Sequence, residues 1–274
     1  MLKIAHIIHP VVVNPSSDLV VAQPITFETM RIAREFAGEA ADISLYAIQY
    51  HDEDRIPLPD DFIRVPDLKR SVGGLKNFKA ERKLALIKDI LDALFEHSRA
   101  DYLIYTNVDI ALQPYFYQAV AKIIRQKHDA FVINRRSIPD RYSAPEDIPL
   151  MYAEAGEKHP GFDCFVFRRK LYKKLDLGEI CIGTTKIGVT VIANLICKAK
   201  KFKLFEDLHL TFHIGVVREW EDQRFKEFLQ HNEREALRIL TMLKKSYRRR
   251  FDNNPICMKH FNMLREKYPR DMNE

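Results

Sequence analysis

ADYLIYTNVDIALQP, residues 100–114, is the stretch that decides the fold. Residues 102–105 are aromatic or aliphatic without alternation, the pattern of a strand covered on both faces in a mostly parallel sheet. The apolar run then stops at Asn107, Val108 and Asp109. Ligands of open α/β sheets collect beyond the carboxyl ends of such strands, which places Asp109 in the crevice by pattern. An amide and a carboxylate one residue apart project to the same side of an extended backbone. Asn107 and Asp109 can therefore face one hard divalent cation and its diphosphate ligand together. The plainer alternative is that both simply cap the turn or helix that follows.

Outward from this strand the chain alternates. Residues 3–8 read as a first strand, 27–37 as a helix and 43–49 as a second strand; 78–98 carry helical spacing that leads into the central strand. Beyond it, 115–126 read as a helix, 130–134 as a strand, 164–167 as a strong strand introduced by HPGFD, and 171–175 as a short helix. A buried helix over 190–200, a strand over 203–205 and an extended, histidine-bearing segment over 209–215 follow. Prolines, glycines and charges over 50–74 and 135–157 predict irregular segments. The expected fold is α/β: a central, mostly parallel mixed sheet flanked by helices over residues 1–220. Residues 221–274 form a C-terminal helical extension packing on that domain, with one long amphipathic helix over 223–250.

At 274 residues, 46% hydrophobic and 30% charged, the chain can bury a sizeable core without staples. It has no apolar run long enough to span a bilayer and no signal-peptide pattern at its start, so it is expected to be cytoplasmic. Cys164, Cys181, Cys197 and Cys257 are widely spaced, mostly among apolar residues, and suit reduced, packed thiols. The net charge of +6 is uneven, with Lys244, Lys245, Arg248, Arg249 and Arg250 crowding one segment. That cluster allows contact with the inner face of an anionic membrane. Its bland alternative is a solvated helix end, and without interleaved aromatic residues it does not point to nucleic acid.

The arrangement resembles the GT-A family of nucleotide-sugar-dependent glycosyltransferases. The resemblance rests on the first strand followed by AQPITFETMRIA, on ERKLALIKDILDAL leading into DYLIYTNVDI, on HPGFDCFVFRR, and on DLHLTFHIG. It implies a nucleotide-diphosphate sugar as donor, a carbohydrate or lipid-linked acceptor, and Mn2+ or Mg2+ on the donor diphosphate. Asp109 then becomes the principal metal ligand, with Asn107 where such motifs carry their first carboxylate, a change that removes one anion. His213 stands where a later histidine returns to the metal, and imidazole suits manganese. It competes with His209, four residues away on the same expected strand face. Donor recognition falls on the first strand and its loop, from Ile8 to Gln23 with His9 and Gln23 as contacts, and on Arg82 and Lys83 at an expected helix start.

Arg135 and Arg136 form a second cationic pair near the crevice, with ordinary surface charge as the alternative. Asp163 follows a glycine turn and starts a strand, which would hold it where an acceptor hydroxyl approaches; it is the candidate catalytic base beside Asp109. Its alternative is a turn-closing aspartate. In GTTKIGVT, residues 183–190, Val189 and Thr190 occupy places where relatives often carry a tryptophan and an aspartate. Glu206 and Asp207 are then alternative carboxylates. Two rivals stand beside the transferase: a non-catalytic nucleotide-binding scaffold, and a sugar nucleotidyltransferase, which lacks here a glycine-rich loop after the first strand. The apolar stripe of residues 225–243 leaves a second copy or a neighbouring domain as a further partner.

Overall fold

A computed structural model describes residues 1–51, 56–75, 78–79, 82–215 and 225–269. β1 (Lys3–Ile8) runs into α1 (Leu19–Ala37), then β2 (Asp42–Ala47) and β3 (Phe62–Arg64). After α2 (Ile87–His97) come β4 (Tyr102–Thr106), β5 (Ala111–Leu112), α3 (Phe116–Arg125), β6 (Ala130–Ile133) and β7 (Arg136–Ile138). The middle of the chain holds α4 (Ile148–Ala153), β8 (Glu157–Lys158), β9 (Cys164–Arg168), α5 (Arg169–Tyr172) and α6 (Ile187–Lys198). β10 (Phe202–Phe205), β11 (Thr211–Ile214), α7 (Lys226–Ser246), α8 (Arg248–Asp252) and α9 (Pro255–Lys267) complete it.

Among the described residues, seven strands form one sheet in the order β10-β6-β9-β4-β1-β2-β3. All neighbours are parallel except β9, which runs antiparallel to both β4 and β6. The sheet is buried on both faces, and β1 shows how. Ile4 and Ile8 pack with α1 and α3, while Ala5 and Ile7 pack with α2, α6 and α7. His6 points into the first of these layers, where its ring nitrogens lie 2.9 Å from the Tyr117 and Thr106 hydroxyls. Burial pushes its pKa down to about 3, so it is a neutral core histidine. The four cysteines are free and buried.

Several element boundaries differ from the sequence-based expectation. α1 starts at Leu19 rather than 27, because Pro24 falls near its start and removes one bond without ending the helix. α2 starts at Ile87 rather than 78. The residues before it are drawn into tertiary pairing: Leu86 bridges to Cys181, and Leu84 and Leu86 pack with Phe225 and Phe228. Glu81 and Gln223, the latter the expected start of the last long helix, lie outside the described residues. That helix, expected over 223–250, breaks at Tyr247 into α7 and α8, and a further helix, α9, follows beyond its expected end. α7 ends at Ser246, α8 is a single short turn, and α9 is a separate helix capped by Asn254, whose side chain accepts from the Ile256 and Cys257 N–H groups. Ala236, Leu237, Leu240 and Leu243 of α7 are buried against α6, so this part of the stripe is covered within the chain.

Candidate active site

The crevice opens beyond the carboxyl ends of β1 and β4. It consists of two adjoining lobes of about 450 Å3 and 360 Å3 that share Leu19, Arg82, Tyr105, Asn107, Asp109 and Gly183. β9 feeds this end from the other direction: because it is antiparallel, its first residues lie beside the last residue of β4, with Thr106 opposite Cys164. Asp163, just before β9, is thereby delivered to the same rim.

Asn107 and Asp109 both line the two lobes, although not from extended backbone. β4 ends at Thr106, and residues 107–110 form a turn closed by the Ile110 N–H on the Asn107 carbonyl at 3.2 Å. The Asn107 Oδ1 accepts from the Tyr105 hydroxyl at 2.8 Å. Asp109 meets His213 instead, with Oδ2 3.2 Å from Nε2. A second, smaller sheet arranges this meeting. β5, just after Asp109, pairs antiparallel with β11, which carries His213. The His213 Nδ1 lies 3.1 Å from the Gly215 carbonyl, leaving Nε2 turned toward Asp109. Burial alone would raise the Asp109 carboxyl, but the His213 ring and the Arg135 guanidinium outweigh it and hold its pKa below the ordinary value.

His209 is not the equivalent of His213. It precedes β11 and its Nε2 lies 2.9 Å from the Gln113 side-chain nitrogen; neither histidine lines the crevice itself, but His213 is the one that meets Asp109.

In the second lobe, Arg135 and Asp163 form a buried ion pair at 3.2 Å, each side chain less than a tenth exposed. Arg135 is thus not surface charge. Arg136 is directed away: its guanidinium binds Asp207 and the carbonyls of Ala155 and Gly156. Asp207 is engaged by Arg136 and Lys158 and does not line the lobes. The same lobe is walled by Phe162, Thr184, Thr185 and Lys186. Two backbone features shape this wall. Lys186 caps α6 with φ +77°, a conformation costly for a lysine, and Gly188 sits where a Cβ would lie 2.8 Å from the Phe162 carbonyl.

The remaining sequence candidates divide. His9 lines the first lobe, its Nδ1 2.8 Å from the Ile48 carbonyl, and burial lowers its pKa to about 4 despite that bond. Arg82 and Lys83 also line the first lobe, from an irregular segment rather than a helix start. The Arg82 guanidinium lies 4.8 Å from the Phe225 ring centroid, and the Lys83 ammonium 5.9 Å from that of Tyr50. Gln23 does not face the crevice. It is buried in α1 and clamps Val11, accepting from its N–H at 2.8 Å and donating to its carbonyl at 2.9 Å. It supports the loop after β1 rather than lining the crevice. Tyr50, Thr184, Lys186 and His260 carried no sequence signal of their own, because each reaches the crevice only through packing of distant segments.

The metal implied by the resemblance can be tested on the donor set. Among the described residues there is no group of three or more His, Cys, Asp or Glu side chains that would hold an ion unaided. Asp109 and His213 fit as a pair. Asp109 Oδ1 and His213 Nε2 are buried polar atoms with no hydrogen-bond partner among the described residues. Their 3.2 Å approach is close to the spacing of about 3 Å between adjacent ligands of an octahedral ion with bonds of about 2.1 Å. Two protein ligands, completed by phosphate oxygens and water, are a usual complement for Mg2+ at a nucleotide.

No protein-family model matches the sequence, and no curated protein matches it. Solved structures do. The crystal structure of residues 1–349 of S. aureus TarS in complex with UDP superposes with a TM-score of 0.56 at 10% identity, covering 97% of this chain and 72% of that one. A crystal structure of S. aureus TarS covering 100% of this chain and 50% of that one gives 0.51 at 9% identity. The chain therefore shares its fold with that structure, in keeping with the GT-A-like fold that the resemblance implied.

Proposed function

We propose that this protein is a glycosyltransferase that moves a sugar from a nucleotide-diphosphate sugar to a carbohydrate or lipid-linked acceptor. The observation that carries the proposal is the two-lobed crevice with Asp109 on its shared wall and the buried His213 ring against that carboxylate. The first lobe suits the donor. Its size is within the range for small-molecule sites, and its lining combines apolar Val11, Val12 and Val13 and the Tyr50 ring with the cations Arg82 and Lys83. A planar base fits the former, and the diphosphate is matched by the latter. The structural neighbour holding UDP makes uridine nucleotides the first to try.

Asp109 and His213 would hold Mn2+ or Mg2+, which would supply charge neutralisation for the departing diphosphate. Arg82 and Lys83 act on the same developing charge from the protein side. In the second lobe the acceptor hydroxyl oxygen attacks the anomeric carbon, its bond to the diphosphate oxygen breaks, and the nucleoside diphosphate leaves. Asp163 takes the hydroxyl proton in an inverting version of this step. Its Oδ2 is buried without a partner among the described residues, while Arg135 holds Oδ1 and so orients the carboxylate.

The domain assignment remains part of this proposal: residues 1–220 carry the chemistry, and 221–274 pack on the same unit. A cytoplasmic location is likewise proposed; among the described residues no helix is long and apolar enough to cross a membrane. A second reading, a nucleotide-binding scaffold without chemistry, is favoured by Asn107 and by Val189 and Thr190 where an acid would otherwise serve. Nucleoside diphosphate release from a panel of nucleotide sugars, with Mn2+ and candidate acceptors, separates the two. Release that Asp109→Ala abolishes supports the transferase, whereas nucleotide binding with no release under any condition supports the scaffold.

A further inference from the structure

At the end of the sheet opposite the crevice, six cations and a single carboxylate line a concave site of about 640 Å3. Lys127 follows α3, Arg168 ends β9, Lys170 lies on α5 with Lys174 just beyond it, Lys198 ends α6, and Lys200 precedes β10. All therefore gather at the amino ends of the parallel strands. The carboxylate, Asp129, is already committed, accepting from the Lys200 and Lys201 N–H groups at 2.9 Å and 2.7 Å. Lys127, Lys170, Lys174 and Lys200 are exposed and have no ion-pair partner among the described residues.

The basic cluster singled out in the sequence continues this rim. Arg250 donates to the carbonyls of Cys197 and Ala199, and the Lys198 ammonium lies 6.0 Å from the Tyr247 ring centroid, which fixes α8 beside the site. Arg248 and Arg249 are exposed on the same short helix. Favourable placement of cations at helix C-termini explains one or two such residues, not four exposed lysines brought together from separate segments.

We propose that this basal face docks the protein on an anionic phospholipid surface, with the crevice turned away from the bilayer. The exposed lysines rim the concavity, and Arg248 and Arg249 on α8 extend the positive charge beyond it. No aromatic residue lines the site to stack bases, and its one apolar residue, Leu171, is buried, so the attachment is electrostatic rather than by insertion. The proposal is independent of the donor chemistry.

The test is flotation of the full chain with vesicles of phosphatidylcholine, with and without phosphatidylglycerol, at low and high salt. The protein is expected to float only with the anionic vesicles and to be released by salt. A triple Lys170→Glu, Lys174→Glu, Lys200→Glu variant should weaken binding on the order of 100-fold, with its melting temperature and nucleotide binding unchanged. Arg248→Glu with Arg249→Glu, on the adjoining rim, gives an independent loss if the triple variant fails to fold. Failure to float with anionic vesicles, or flotation indifferent to both sets of variants, would overturn the proposal. So would preferential capture of soluble inorganic polyphosphate, which would reassign the face to a phosphate polymer.

Discussion

Asp109 and His213 are the residues on which the chemistry is proposed to turn. If they hold one ion between them, each substitution removes the same function. Asp109→Asn and His213→Ala are each expected to lower transfer by at least about 100-fold, and the double variant by little more than either. Additive losses in a steady-state assay would mean that the two act separately. His6 and His9 make a different prediction. Both have folded pKa values below the ordinary 6.5, at about 3 and about 4, so the unfolded chain takes up protons that the folded chain refuses. Stability is full above the unfolded value and declines as pH falls toward the folded ones. Together the two contribute about 2.7 kcal/mol per pH unit to the slope between roughly pH 6 and pH 4, read from chemical denaturation at a series of pH values. His6→Gln should lower the measured slope by about half of that contribution. Asp109 was legible in sequence because an apolar strand that stops at an acid marks the sheet's ligand edge. The Arg135–Asp163 pair was not, because an ion pair between two strand ends leaves no local pattern in either segment.

Elements show where tertiary contacts overrode sequence periodicity. The helical spacing of residues 78–98 is real, but its first part is claimed by pairing with Cys181 and by packing on Phe225 and Phe228. As a result Arg82 and Lys83 reach the crevice from an irregular segment. The α7 helix then governs the opposite wall through Asn232. Its side chain bonds the Cys181 N–H at 2.9 Å, the Cys181 carbonyl at 2.8 Å and the Thr185 carbonyl at 2.9 Å, all from a fully buried position. Asn232→Ala strands those groups and is expected to cost about 3 kcal/mol or more in denaturant unfolding. It should also raise KM for the acceptor, because Thr184 to Lys186 lose their anchor. Lys127 points the other way. It follows α3 with φ +66°, where glycine is the unstrained residue, so Lys127→Gly should stabilise the fold by about 1 kcal/mol.

For the molecule as a whole, the alternation of strands and helices, the two-sided burial of the sheet and the crevice at its carboxyl edge all follow from residues 100–114 and their flanks. The placement of the C-terminal helices does not, since an amphipathic stripe says that a face will be covered but not by what. That stripe closes over α6, in the same apolar layer as α2 and one face of the sheet. Removing residues 216–274 should therefore expose this layer and yield an aggregating or molten chain by circular dichroism and gel filtration rather than a smaller native one. The most direct test of the central claim is calorimetric titration of the intact protein with UDP and a panel of other nucleoside diphosphates, with and without Mn2+, repeated on Asp109→Ala. One nucleotide is expected to bind in a metal-enhanced manner, with the enhancement lost in the variant while its melting temperature stays close to that of the wild type. Absence of binding by every nucleotide, or binding untouched by Mn2+ and by Asp109→Ala, would contradict the assignment of this crevice as a metal-assisted nucleotide-sugar site.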